Sequence, residues 1–394
     1  NYSYKVYDGF GRVQAEVDAE RNVTAYQYNA YGEQIMLQRY AAKLDTSGGA
    51  FAAVSWQAGQ AISSTQIAAG VNAADPMNRQ IHTVYNRLGQ KAEVTLSAVE
   101  YRNLDNTSLI GSGTPTTRYE YNAYGEVVRE KVLVSGSADP NSGGGFWAET
   151  YRYYDQAGRM THVVDAEGYM TAMQYNATGE VLKTIEYARA VAVRNAPSHV
   201  PGVPVLSHYS GTLGLSTSTP PTAPAAGDAA SGYDRETQWT YDVLGRKASE
   251  TMVRHVRGVD GNVQRQLLSS QYGYDAEDRV TTLTNAAGTT TTTYNALGQV
   301  TSVREPARQV LTNTADAALQ ANSTNNLASS NLYELRSPYT TMAYDGLGRV
   351  IATRRHANGH DGVNPPQIDN ARDQVMLSVY DALDRVVMTQ SASG

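Results

Sequence analysis

One short phrase governs this chain: a Tyr, then Asp or Asn, two variable residues, Gly or Asp, and then Arg, Glu or Gln. It appears as "YDGFGR" from Tyr7 and again as "YNAYGE" from Tyr28, and in all it occurs eleven times. Its tyrosines are Tyr7, Tyr28, Tyr85, Tyr121, Tyr154, Tyr175, Tyr241, Tyr274, Tyr294, Tyr344 and Tyr380. A catalytic motif usually occurs once, whereas a structural unit recurs as often as the architecture needs it. The steps between copies are 21, 57, 36, 33, 21, 66, 33, 20, 50 and 36 residues. A short step, a long one and one or two medium ones follow each other three times, so a higher-order repeat overlies the basic one.

The short steps define the unit. Midway along each lies a second turn signal: "VDAERN" with Asp18, "VDAEGY" with Asp165 and "TNAAGT" with Asn285. Turn residues about every ten positions, separated by Thr, Val and Tyr runs such as Gly288–Asn295, predict consecutive antiparallel strands. Asp8, Asp155, Asp242, Asp275, Asp345 and Asp381, with Asn29, Asn86, Asn122, Asn176 and Asn295, can start a turn by bonding their own backbone. Gly11, Gly32, Gly89, Gly125, Gly158, Gly179, Gly245, Gly298 and Gly348 follow three positions later and supply a positive φ. In the other two copies that place is taken by Asp278 and Asp384, a residue type that tolerates the left-handed region. The five Asn copies carry Glu or Gln where the six Asp copies carry Arg. An Arg–Asp ladder between neighbouring units is a structural expectation of this pattern. Two residues before the repeat tyrosine stand Tyr26, Tyr119, Met173, Trp239, Tyr272 or Met342 in six copies. Residues i and i+2 share a face of a strand, so a ladder of stacked aromatics along one sheet edge is expected.

Eleven two-stranded units imply some 22 strands, a band more than ~100 Å wide at ~4.8 Å per strand. Open sheets of that width curl or split, and winding hides edges that would otherwise pair with other chains. The fold class expected is therefore all-β: a long antiparallel sheet of hairpins winding into a hollow shell, continuous over 1–394. Inserts interrupt it at about 41–80, 188–232 and 305–338. The long steps that hold them start alike, with "QRYAAKL" at Gln38, "EYARAV" at Glu186 and "EPARQV" at Glu305. The first and third could each form one or two helical turns, with Ser63, Ser64 or Thr314 as caps, whereas the Pro- and Gly-rich Ser216–Gly232 of the second forbids a regular core element. Plugging, bracing and decorating the sheet all remain open for them. Val134–Gly145, Val256–Asn262 and His356–Gly362 read as hairpin tips.

Composition narrows function. The chain has 28 Tyr against 3 Phe, a net charge of −6 and no cysteine. Thiol chemistry, disulfides and Cys-ligated zinc are excluded. No basic patch stands out, so nucleic acid is not expected as a partner, and no apolar stretch is long enough for a membrane helix. No nucleophile elbow, phosphate loop or dinucleotide fingerprint occurs, so neither catalytic nor cofactor-binding residues are assigned. The repeated carboxylates have turn roles. His356, His360 and Asp361 in "HANGHDG" are the candidate metal ligands, but Asn358-Gly359 is a turn dipeptide and no metal is assigned.

The phrases "YDGFGRV", "YDVLGRK" and "YDGLGRV", recurring with the halfway turn over residues 7–385, resemble the YD repeat of RHS-repeat proteins. That family includes bacterial polymorphic toxins, the C component of insecticidal toxin complexes and the shell of teneurins. The resemblance implies a β-sheet spiralling into a shell that encloses a C-terminal effector in the toxins and serves adhesion in other members. The expected function is a non-enzymatic shell segment of a large exported protein, secreted or at the cell surface. Its expected partners are the rest of a longer chain and its cargo; the alternative is an adhesin or a glycan- or protein-binding module. The self-cleaving aspartate core of the toxins has no match in this sequence.

Overall fold

A computed structural model of the chain describes residues 3–45, 62–102, 110–136, 145–192, 213–225, 227, 233–311 and 333–393. Among them are 25 strands and one helix. Twenty-three strands belong to one antiparallel sheet, and Val99–Arg102 pairs separately with Ile110–Gly113. Strands mostly pair with their neighbours in sequence. Tyr4–Tyr7 pairs with Val13–Val17, which pairs with Val23–Tyr28, which pairs with Gln34–Arg39. The chain is thus all-β, a long sheet of consecutive hairpins. It forms two compact units, residues 1–173 with 185–234, and residues 174–184 with 235–394.

In the first unit the inserts return to the sheet and cover its halfway hairpins. Leu44, Ile62 and Ile67 pack with Ala15, Val17 and Val23 in one buried cluster. Ile67 belongs to the helix Ser64–Gly70, whose N-terminus is closed by a capping box. Ser63 Oγ accepts from the Gln66 amide at 3.2 Å, and Gln66 Oε1 accepts from the Ser63 amide at 2.9 Å. A helix this short is marginal in isolation; burying each branched aliphatic side chain, worth ~1.5–3 kcal/mol, holds it in place. A second cluster joins Leu213 of the next insert to Tyr151, Tyr153, Val164 and Met170. Both inserts start from the same anchor. The Leu44 amide donates to the Arg21 carbonyl at 2.8 Å, and the Val191 amide donates to the Gly168 carbonyl at 2.9 Å. Arg21 and Gly168 are the positive-φ residues of their halfway turns. Of the three roles left open, the described parts of these two inserts brace. Thr314 and the 312–332 part of the third insert lie outside the described residues, as do 46–61 and 193–212 of the others.

A fully buried carboxylate ties the second brace down. Glu149 accepts from Arg129 at 3.1 Å, Lys131 at 3.2 Å, the Tyr151 hydroxyl at 3.1 Å and the Leu213 amide at 3.3 Å. Burial pushes its pKa up, but the two cations outweigh it and the carboxyl is held below its ordinary value. Pairing of this kind is what makes a buried charge tolerable.

In the second unit hydroxyls face each other across the strands, as in Thr284–Thr289 at 2.9 Å and Thr293–Ser302 at 2.7 Å. Val256–Asn262 is a hairpin tip as expected, with Arg257 opposite Val263. The tip expected at Val134–Gly145 falls between paired strands that bring Gly136 opposite Gly145, with 137–144 outside the described residues. His356–Gly362 is not a tip. The strand Val350–His360 runs through Asn358-Gly359, and the chain reverses only beyond it. Ser337 pairs with His360 and Tyr339 with His356, so Ala357, Asn358 and Gly359 together face Pro338. A proline lacks the amide a regular ladder needs there, and the opposite strand bulges instead of turning.

Candidate functional site

The repeated phrase forms the same turn eleven times. In every copy the amide of the Asp or Asn donates to the carbonyl four residues on, and the residue three positions on donates back to the Asp or Asn carbonyl. This is the three-residue hairpin loop in which a type I turn precedes one left-handed residue. Gly fills the left-handed place in nine copies, as with Gly298 at φ 80°; Asp278 and Asp384 fill it at 64° and 60°. One side-chain oxygen organises each turn: Asp8 Oδ1 accepts from the amides of Phe10 and Arg12 at 2.9 and 3.0 Å. The same pair of bonds is made by Asn29, Asn86, Asn122, Asp155, Asn176, Asp242, Asp275, Asn295, Asp345 and Asp381.

The second side-chain atom explains why residue types alternate together. Where the turn residue is Asp, its Oδ2 accepts from the Nε of the Arg four positions on, at 2.6–2.8 Å in all six copies. Where it is Asn, Nδ2 donates to Glu33, Gln90, Glu126 or Gln299 at 2.5–2.7 Å. An acceptor is matched with a donor and a donor with an acceptor. The Arg12 guanidinium holds the Asp8 carboxyl below its ordinary range, and Arg159 does the same for Asp155.

Adjacent turns are latched by the tyrosine. Its hydroxyl donates to the carbonyl of the residue that follows the preceding turn. Four such bonds lie in the first unit: Tyr28 to Val13, Tyr85 to Gln34, Tyr121 to Lys91 and Tyr154 to Val127. Five lie in the second: Tyr241 to Val181, Tyr274 to Lys247, Tyr294 to Val280, Tyr344 to Val300 and Tyr380 to Val350. The ring faces carry guanidinium groups where the sequence suggested ring upon ring. Arg12 sits over Tyr28 and Arg246 over Tyr274 at 4.6 Å, and Arg279 over Tyr294 and Arg349 over Tyr380 at 4.8 Å. Each contact adds ~0.5–1 kcal/mol at an exposed site.

The expected Arg–Asp ladder exists in a more specific form. Each of these arginines pairs with its own turn's Asp and also donates to the Asp or Asn carbonyl of the next turn, as Arg279 does to Asn295 at 3.2 Å. Arg246 and Arg349 reach further, to Asp278 at 2.6 Å and Asp384 at 2.8 Å. The two departures from Gly therefore sit where the preceding turn presents a cation. Where it presents Glu or Gln, the next Gly is closed in: a Cβ on Gly89 would lie 2.8 Å from Glu33, and one on Gly125 2.9 Å from Gln90. This dependence between copies was written in the sequence, in the residue that precedes each departure by one repeat.

The histidine candidates are not brought together around an open position. The Tyr339 ring packs against both imidazoles, 5.4 Å from His356 and 5.4 Å from His360. Asp361 instead accepts from the amides of Val363 and Asn364 at 2.8 and 2.6 Å. Among the described residues no group of three His, Asp or Glu side chains is placed to hold a metal. No helix there is long and apolar enough to cross a membrane.

Comparison with known proteins gives one family: the model of the RHS Repeat matches residues 268–310. No curated protein matches the chain. Among solved structures, a Photorhabdus luminescens Tc holotoxin pore aligns over 99% of this chain and 18% of its own, at 13% identity and TM-score 0.28. A TcdB2–TccC3–TEV structure aligns over the same shares at 14% identity and TM-score 0.28. A porin-like protein from Bacteroides uniformis aligns over 75% of this chain and 93% of its own, at 10% identity and TM-score 0.20. Similarity this low says nothing about overall arrangement. The family match is different in kind: it falls on two successive turns, at Tyr274 and Tyr294, whose phrase recurs from Tyr7 to Tyr380 and whose latch recurs from Tyr28 to Tyr380, so residues 268–310 match the RHS repeat and share their turn with the rest of the chain.

Proposed function

We propose that this chain is a stretch of wall in a larger RHS-repeat protein, a non-enzymatic shell that encloses a polypeptide cargo until it is released. The observation that carries the reading is the latch. Nine turns are tied to the one before by a tyrosine hydroxyl, and four of those by a guanidinium as well. A wall needs this property: every unit held by its neighbours, with no step that depends on a distant core. The braces of the first unit cover one face of the halfway hairpins and stiffen the same sheet. The shell would belong to an exported protein, with the rest of its own chain as its principal partner. The chain spans 18% of the Tc holotoxin pore chain to which it aligns.

The test is protease protection of the full-length protein. Digestion of the native protein is expected to spare an internal polypeptide that is cut at once after denaturation. Loosening the wall by replacing four latch tyrosines with Phe should expose that polypeptide while the sheet remains folded. A full-length protein with no protected polypeptide, or with one equally protected after the wall is loosened, would overturn the reading.

A further inference from the structure

Four arginines meet at one cavity of the second unit, and their convergence follows from the bulge at Pro338. The cavity, about 290 Å³, is lined by Arg308, Arg336, Arg355 and Arg372 together with the bulged residues Ala357–Gly359. The bulge is built in rather than incidental. Gly359 has φ 62°, and a Cβ there would lie 2.7 Å from the Ser337 carbonyl oxygen. Bulges of this kind re-aim side chains and open a ladder beside binding sites.

The charge pattern is unusual for a sheet. Arg308 stands directly opposite Arg336, and like charges in that relation are destabilising. Arg336 pairs with Glu334 at 2.9 Å and Arg372 with Asp369 at 2.7 Å. Among the described residues, Arg308 and Arg355 have no ion-pair partner, and no Asp or Glu lines the cavity. His356 also lines it, and its side chain is 5% exposed. Its Nε2 lies 3.1 Å from Thr341 Oγ1, and its Nδ1 has no hydrogen-bond partner. The nearest carboxylate, Asp373, is already committed to Arg354 at 2.9 Å and to the amides of Ala357 and Asp369 at 2.9 and 3.1 Å. Two unpaired guanidiniums and two paired ones thus line a space to which, among the described residues, no carboxylate contributes. The chain as a whole is acidic, at −6, so this concentration of cations is local.

We propose that the cavity binds a phosphate or sulfate ester group. Arg308 and Arg355 make the main contacts, and Arg336 and Arg372 complete the positive field. The planar fork of a guanidinium matches two oxygens of a tetrahedral oxyanion. The volume suits one such group with part of the sugar or alcohol that carries it. Binding would also relieve the repulsion between Arg308 and Arg336.

Titration calorimetry of the full chain with glucose 6-phosphate, glucose 6-sulfate and glucose tests this. At least one ester is expected to bind saturably at one site, and glucose is not; the tighter ester names the source of the oxyanion. The R308A/R355A double variant should bind about tenfold more weakly or worse, since charge-assisted hydrogen bonds are lost. Arg254→Ala, on an exposed strand position outside the cavity, should leave affinity unchanged. Should the double variant fail to fold, Arg355→Lys replaces it, and a loss of about threefold or more is expected because the charge stays and the fork goes. The proposal is overturned by saturable binding of neither ester, by equal binding of glucose, or by equal weakening in Arg254→Ala.

Discussion

The hydroxyl of Tyr294 donates to the carbonyl oxygen of Val280 at 2.9 Å, across the boundary between two successive turns. The bond recurs at equivalent residues with lengths of 2.7–3.1 Å. It reassigns the tyrosine of the repeat. The ring packs, but the hydroxyl is the part that joins one unit to the next.

Tyr294→Phe keeps the ring and removes that bond. It should cost about 0.5–1.5 kcal/mol, the net worth of one intramolecular hydrogen bond. Urea denaturation of the chain measures it. Tyr31→Phe is the control, since Tyr31 sits at a turn tip and is 90% exposed. Equal stabilities for the two variants would remove the latch from the account.

The turn glycines should accept Asp according to the preceding copy. Gly298 follows Arg279, whose Nη1 would lie 3.9 Å from an added Cβ. Gly298→Asp should reproduce the Arg246–Asp278 arrangement, the pair offsetting most of the strain of positive φ, for a net change within about 1 kcal/mol. Gly89→Asp meets the Glu33 carboxylate instead, which Asn29 holds in place at 2.5 Å. It should lose at least about 2 kcal/mol through contact and like charge. Thermal melts of the two variants decide; similar losses would show that the preceding copy does not read the glycine.

The matched pairs should behave as pairs. Asp275→Asn leaves the turn bonds of Oδ1 but sets an amide donor against the Arg279 guanidinium. Adding Arg279→Gln restores the Asn–Gln pairing seen at Asn295 and Gln299. The double variant should recover roughly 0.5–1 kcal/mol of the single variant's loss in a double-mutant cycle. Strict additivity would count against the matching.

High pH should unfasten the first unit. Burial pushes the phenols of Tyr151 and Tyr153 up to about 12, Tyr151 further helped by the Glu149 charge. An unfolded tyrosine ionises near 10. The folded form therefore holds these protons more tightly, and their contribution is complete below about pH 10 and is lost as pH rises towards 12. Each accounts for about 3 kcal/mol at most. Denaturant midpoints from pH 9 to 12 should fall accordingly, and Tyr153→Phe should make the drop smaller. A flat profile over that range would contradict the assignment.

Much of this was legible from residues alone because the turn is local. Asp8, Gly11 and Arg12 lie within five positions, and their hydrogen bonds need nothing else. The halfway hairpins at Asp18, Asp165 and Asn285 were equally plain, and Ser63 did cap a helix. What escaped notice depends on chain brought from elsewhere. Asn358-Gly359 has the composition of a turn, but Pro338 on the facing strand makes it a bulge. The braces depend on where Leu44 and Leu213 come to rest, which their own neighbourhoods do not encode. The arginines of the cavity stand at 308, 336, 355 and 372, at unequal offsets set by strand register, so no motif search would group them.

The latch has a direction. The donor always belongs to the later turn and the acceptor to the earlier one. As a polypeptide leaves the ribosome from its N-terminus, each newly emerged tyrosine meets a carbonyl that is already fixed in finished sheet. Growth can then proceed like a ratchet, one short contact at a time, with each new hairpin joined to sheet that has already formed.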